Sequence, residues 1–167
     1  MNGTLTSKLP YSTPSPLAEA DRDRVVDALN QLLADGLDLH ARLKMAHWNV
    51  RGPLFPTLHP LFEQLADGLA LQNDAVAERA VTLGGLARGG LRTVTAESSL
   101  GAERPEVTKD LEVVRVVAGD LETYLTGVRA GRSIADGAGD TDSADLLTAI
   151  VTEFEKHAWF LRATLGE

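Results

Sequence analysis

The sequence predicts an all-α fold, a bundle of four long helices with one long crossover connection. Three observations predict it. Apolar residues recur at helical spacing through four stretches of roughly 24 to 29 residues. Glycine and proline collect between those stretches, and no run alternates with the period of two that a half-buried strand requires. At 1.5 Å per residue such helices are about 36 to 43 Å long, the dimensions of a four-helix bundle.

Residues 1–18 are rich in Ser, Thr and Pro, with Pro10, Pro14 and Pro16 close together. A stretch with so little to bury is expected to be an extended or mobile tail, leaving residues 19–167 for the bundle. From Asp21 the texture changes: Val25, Val26, Leu29, Leu32, Leu33, Leu37 and Leu43 recur at helical spacing. They predict a first helix over 21–49. Arg51-Gly52-Pro53 breaks it, and a second helix begins near Pro56-Thr57. Pro60 then falls in the first turn, where a missing N–H costs nothing because that donor has no helical partner. Leu58, Leu61, Phe62, Leu65, Leu69, Val76 and Leu83 carry the apolar stripe, and Gly84-Gly85 ends it. The connection over 84–104 is long for a compact bundle, so it is expected to cross over the bundle and to hold a turn of helix near Thr95-Ala96-Glu97-Ser98. Such a crossover lets helices two and three run parallel. A third helix is expected from Pro105 to about Ala130, with Val113, Val114, Val117, Leu121 and Leu125 inward. Gly131 to Gly139 is expected to break the chain, and Asp142 or Ser143 to cap a fourth helix running to about Leu165.

The chain has 167 residues, enough for one domain with a real core. Its 24 acidic and 16 basic side chains leave a net charge of −8. An acidic body repels phosphates and attracts cations. There are no cysteines, which removes disulfides, thiolate metal sites and thiol catalysis together. No apolar run approaches the roughly 20 residues of a membrane helix, and Met1 to Ala20 lacks the apolar core of a secretory signal. A cytoplasmic location is expected.

The chemistry concentrates between residues 44 and 85. His47 ends the first helix; His59, Glu63, Asp74 and Glu78 lie on the second. His59/Glu63 and Asp74/Glu78 are both i, i+4 pairs, each a two-point clamp on one side of the helix. Glu63 and Asp74 are 11 residues apart, roughly 20° in azimuth but about 16 Å along the axis. Ligand atoms sit near 2 Å from a transition metal, so one chain cannot close one site with both clamps. Two chains can, if the second helix packs antiparallel against its copy across a two-fold axis. The midpoint of the four positions lies beside Gly68, with Ala66 and Ala70 around it, small residues suited to close helix approach. Histidine nitrogen with several carboxylate oxygens and no sulfur suits iron, manganese or zinc. The alternative is a solvated surface, or ion pairing with Arg79 and Lys44.

These residues resemble the Dps family, the mini-ferritins named DNA-binding proteins from starved cells. The resemblance is carried by Lys44, by His47-Trp48-Asn49-Val50-Arg51-Gly52-Pro53 and by Phe55, Leu58-His59 and Phe62. It continues through Asp74, Ala77-Glu78-Arg79-Ala80 and Leu83-Gly84-Gly85. Glu155-Lys156-His157-Ala158-Trp159-Phe160-Leu161 is similar to the family's last helix. The resemblance implies a ferritin-like four-helix bundle, assembled as a hollow dodecamer of two-fold dimers. It also implies an iron-oxidising centre across each dimer interface, with His47, His59 and the position of Glu63 from one chain and Asp74 and Glu78 from the other. Two iron ions per site, zinc or manganese as substitutes, hydrogen peroxide as oxidant and a ferric oxyhydroxide core follow from the same resemblance. Glu63 departs from it, because the family usually has Asp there, one methylene shorter. Trp48 is similar to a family tryptophan beside the centre, where it would intercept radicals; packing at the end of the first helix fits it equally well.

Other features have two readings each. Asp140, Asp142 and Asp145 cluster at the start of the fourth helix, where acids cap helices and favour the dipole. By resemblance, the same region lines pores through which iron enters, and a ring of acids there would concentrate Fe(II). His40 lies seven residues before His47 and about 10 Å away along the axis, too far to share an ion with it. Packing or a hydrogen bond is expected of it, with a place as an added ligand left open. Glu153 and His157 form another i, i+4 pair for which the sequence offers no partner, so a solvated face is expected. Arg88 and Arg92 are expected on the surface. Family members that bind DNA use Lys-rich mobile termini, whereas the first 20 residues here hold one lysine, Lys8, and one acid, Glu19. DNA binding is therefore expected to be weak or absent.

Overall fold

The computed structural model describes residues 13–167. Five helices follow in order: α1 Glu19–Asn49, α2 Phe55–Thr82, α3 Leu91–Glu97, α4 Asp110–Ala138 and α5 Thr141–Leu165. Among the described residues there is no strand, only an isolated bridge between Arg51 and Lys109. That bridge sets the topology. Arg51 N–H donates to the Thr108 carbonyl at 2.9 Å, and Asp110 N–H donates to the Arg51 carbonyl at 3.0 Å. The starts of α2 and α4 therefore lie at the same end, and these two helices run parallel as the long crossover predicts.

The core is the meeting of four apolar stripes. Leu29, Leu39 and Leu43 of α1 face Leu58, Phe62, Leu65 and Leu69 of α2, with Leu121, Tyr124 and Leu125 of α4 and Leu147 and Phe154 of α5 completing it; all are essentially inaccessible. Each buried leucine or phenylalanine contributes about 1.5–3 kcal/mol of transfer free energy. Tyr124 meets Phe154 edge to face, with ring centroids 6.2 Å apart.

The crossover is held by polar residues of α1. Asn30 donates to the Leu86 carbonyl at 3.0 Å and accepts from Arg88 N–H at 2.8 Å. Gln31 donates to the Glu97 carbonyl at 2.8 Å. Asp35, buried, accepts from Ser99 N–H at 2.7 Å and from its hydroxyl at 2.9 Å. Asp38 accepts from the Ser98 hydroxyl at 2.6 Å and pairs with Arg42, which also reaches Asp120 and the Gly101 carbonyl. Burial raises the Asp120 carboxyl above its ordinary value, and the Arg42 guanidinium opposes that rise.

Several boundaries differ from the sequence expectation. The third long helix starts at Asp110, not Pro105, because the bridge to Arg51 keeps the preceding residues extended. It then runs through Gly131 without a break. A Cβ at Gly131 would lie 2.8 Å from Leu32 Cδ1, so this glycine serves close packing of α4 on α1 rather than a turn. One helical glycine costs only about 1 kcal/mol against alanine, which the packing offsets. The helix ends at Gly139, whose φ of 73° closes it in the left-handed conformation. The cap of α5 is Asp140, not Asp142 or Ser143. The short helix of the crossover covers Leu91–Glu97, earlier than the expected turn at 95–98. Residues 1–12 of the expected tail lie outside the described residues. Its end, Pro14 to Leu17, forms one wall of a groove whose other side is Arg79, Leu83 and Asp140, and Leu17 packs against the core.

Candidate metal centre

The end of α1 and the start of α2 are joined by Val50 to Leu54, and this short turn brings the first half of the candidate centre together. Gly52 holds φ at 134°, and a Cβ there would lie 2.5 Å from the Asp110 carboxylate. Asp110 Oδ2 accepts from Leu54 N–H at 3.0 Å, which satisfies an otherwise orphaned donor at the start of α2.

Across this turn the two histidines lock each other. His47 Nδ1 lies 2.8 Å from the His59 carbonyl, and His59 Nδ1 lies 2.8 Å from the His47 carbonyl. A carbonyl can only accept, so both Nδ1 atoms carry hydrogen. In the neutral rings both Nε2 atoms are then left with lone pairs, the form in which imidazole ligates a metal. The rings stack with centroids 3.8 Å apart and planes 21° apart, and Phe55 packs on His59 at 5.0 Å. Glu63 Oε2 is 3.4 Å from His47 Nε2. Lys44 hydrogen-bonds the same carboxylate. That bond holds the Glu63 carboxyl below its ordinary value, against the effect of desolvation and with further help from the Lys44 charge and, when protonated, from His47 and His59.

Asp74 and Glu78 stand elsewhere, exposed on α2, and their carboxylates have no partner among the described residues. Arg79 pairs instead with Asp140 at 2.6 Å and donates to the Ser143 hydroxyl at 2.8 Å. Among the described residues, no three His, Asp or Glu side chains converge closely enough to hold an ion within one chain. Each chain thus carries two separate parts, a histidine–glutamate half and a dicarboxylate half. Trp48 is 68% exposed at the end of α1, so packing within the chain does not occupy it.

Of the small residues near the midpoint, Ala66 belongs to the core, and the open side of Gly68 faces Glu153, where an added Cβ would lie 3.3 Å from Oε1. Only Ala70 is exposed, because the stripe of Phe62, Leu65, Ala66 and Leu69 turns the core face of α2 inward. Glu153 has a partner, accepting from Gln72 Nε2 at 2.8 Å. His157 is half-buried between Phe154 and Phe160 with no partner for Nδ1, and burial lowers its pKa, opposed by Glu153 and reinforced by Lys156. Arg88 is half-buried, 3.7 Å from Asp27 and 3.6 Å from Glu97, whereas Arg92 is exposed. Asp140 is almost wholly buried, with both oxygens engaged by Arg79 and Ser143, while Asp142 and Asp145 are exposed. The histidine lock gave no signal in the sequence, since its acceptors are backbone carbonyls.

A family model described as a ferritin-like domain matches residues 26–167. A Bacillus anthracis protein named DNA protection during starvation protein 2 is 36% identical over 144 residues, covering 86% of this chain and 98% of its own. The crystal structure of a Dps protein from Bacillus brevis superposes with a TM-score of 0.84 at 33% identity, covering 89% of this chain and 99% of that one.

The chain belongs to the Dps family.

A second Dps structure, from Vibrio cholerae O1, has a TM-score of 0.87 at 25% identity and covers 94% of this chain and 99% of its own. That protein is described as a member of a broad superfamily of ferritin-like diiron-carboxylate proteins. The DNA protection during starvation protein of Agrobacterium fabrum is 32% identical over 157 residues, 94% of this chain and 97% of that protein. The fold of this Dps-family chain is accordingly the ferritin-like four-helix bundle, with α3 in the crossover. No helix of the described residues is long and apolar enough to cross a membrane.

Proposed function

We propose that this chain is a cytoplasmic iron-oxidising and iron-storing mini-ferritin, a homododecamer built from two-fold dimers. The observation that carries the reading is the reciprocal histidine lock, which leaves two Nε2 lone pairs on one half, that of His47 3.4 Å from Glu63, while the other half holds two unpartnered carboxylates. Across an antiparallel dimer, His47, His59 and Glu63 of one chain meet Asp74 and Glu78 of the other, and the shared site takes two Fe(II) ions as substrate. Zinc or manganese fits the same donors. Each Fe(II) gives one electron to hydrogen peroxide; its O–O bond breaks and, with two protons, two waters form. Each Fe(III) then leaves the site and, taking up two waters and releasing three protons, is deposited as ferric oxyhydroxide in the cavity.

The protein groups have separate tasks. The histidines and carboxylates bind and orient the ions, and the negative charge of the carboxylates favours Fe(III) over Fe(II). Lys44 must yield Glu63 to an arriving cation, so it sets a threshold on occupancy that the longer Glu63 side chain helps to cross. Trp48, exposed beside the site, is placed to intercept a stray radical. Asp142 and Asp145 are available to concentrate Fe(II) at an entry pore; Asp140 serves as cap and partner of Arg79.

Anaerobic loading with Fe(II) followed by peroxide tests this reading. Fast growth of ferric absorbance, with iron co-eluting with a large shell, is the expected result, and Asp74→Ala or His59→Ala abolishes the fast phase while the shell still assembles. Oxidation no faster than in buffer rejects the reading. A second reading, DNA compaction, has the names of the relatives in its favour and the net charge of −8 against it. Gel-shift titration is expected to show weak or no binding near 150 mM salt, roughly physiological ionic strength.

A further inference from the structure

We propose that His40, Asn73 and Asp74 form a second divalent-metal site, in the groove between α1 and α2. The groove is open, has a volume of about 320 Å³ and is otherwise lined mainly by apolar and small side chains such as Leu33, Leu37 and Ala70. Asn73 is the decisive residue. It is 4% exposed, and neither its Oδ1 nor its Nδ2 has a hydrogen-bond partner. Buried amides are nearly always partnered, because leaving one unsatisfied costs about 1–3 kcal/mol. The orphaned amide therefore points to a ligand the chain itself does not supply.

The positions agree with an ion. Asn73 sits against Gly36, where an added Cβ would be 2.0 Å from Oδ1, so Gly36 and Asn73 mark one level of the antiparallel α1–α2 pair. His40, one turn later on α1, is level with residue 69, leaving Asp74 about 8 Å farther along α2 at 1.5 Å per residue. Cα–Cβ bonds lean toward each helix's own N-terminus, so in an antiparallel pair His40 and Asp74 lean toward one another. An ion about 2 Å from each donor would join these side chains across the groove that His40, Asn73 and Asp74 line together. Imidazole nitrogen, amide oxygen and carboxylate oxygen suit Zn(II), Fe(II) or Mn(II), and an apolar wall around such donors limits competition from water. His40 has no hydrogen bond or ion pair among the described residues, and neither does the Asp74 side chain.

The site shares Asp74 with the centre proposed above, one carboxylate oxygen serving each ion. A cation on His40 is then one carboxylate away from the partner's His47 and His59, a staging position for incoming Fe(II); this role, unlike the site itself, rests on the iron-oxidation reading. Calorimetric titration with Zn(II) alone on the assembled full chain tests the site, in the His47→Ala/His59→Ala background. One zinc per chain is expected to remain there, with anomalous diffraction at the zinc edge placing it in the groove. His40→Ala and the milder His40→Gln are each expected to weaken it at least tenfold. Unchanged zinc affinity in both His40 variants, no zinc in the parent background, or a side chain of a second copy found bonded to Asn73 overturns the proposal. Equal iron oxidation by the native chain and the His47→Ala/His59→Ala variant would reject the oxidation reading while leaving the zinc result to stand by itself.

Discussion

Asp140 closes three contacts with one carboxylate: the cap on Ser143 N–H at 3.2 Å, the Ser143 hydroxyl at 2.5 Å and Arg79 at 2.6 Å. Asp140→Ala removes a helix cap and the nearer charge partner of a mostly buried guanidinium, leaving Asp142 at 3.8 Å, so a loss of about 1–3 kcal/mol is expected in denaturant melts. His157 gives a prediction in pH. Its folded-state pKa is lowered by burial, so the unfolded chain binds the proton more readily and stability falls as pH drops through the ordinary value of 6.5. The denaturation midpoint of the native chain is expected to decline between pH 7.5 and 5.5 relative to His157→Asn; equal slopes would contradict this. At this scale, the i, i+4 spacings of His59/Glu63 and Asp74/Glu78 were legible because periodicity alone fixes which side chains share a side of a helix. The tautomers of His47 and His59 were not, because they depend on backbone carbonyls across a turn.

Along α1, Gln31, Asp35, Asp38 and Arg42 form a polar stripe that spacing alone assigns to solvent. The structure uses it to hold the crossover, from Glu97 to Gly101. Arg42→Met leaves Asp38 and Asp120 facing each other without their shared cation, with an expected loss of about 2–4 kcal/mol. Hydrogen exchange at residues 98–101 should accelerate more than at the middle of α4; uniform change would mean the stripe does not hold the crossover. The helices themselves were legible from apolar spacing. The continuation of α4 past Gly131 was not, since a glycine chosen for contact with Leu32 looks the same in sequence as one chosen for a turn.

For the whole molecule, the division of the candidate centre into two halves makes a quantitative prediction. If each site draws its histidines from one chain and Asp74 from the other, His59→Ala and Asp74→Ala subunits are each inactive alone. A dimer containing one of each has one intact site of two, so subunits refolded together in equal amounts should regain about a quarter of native fast iron oxidation. Recovery of none would place the site within single chains. That the two clamps do not meet within one chain was legible from their axial separation, whereas the pairing of Lys44 with Glu63, rather than solvent, had to be seen.

The mutual hold of His47 and His59 also has a thermodynamic consequence. Fixing a free side chain on binding costs up to about 1 kcal/mol or more of rotamer entropy. For the two imidazoles that ordering is complete once the chain has folded, whereas Asp74 and Glu78, exposed and without partners, still have their rotamers to lose. In the two-chain centre proposed above, the entropy of ordering is thus divided in time, the histidine share met at folding and the carboxylate share deferred until a second chain and a cation arrive.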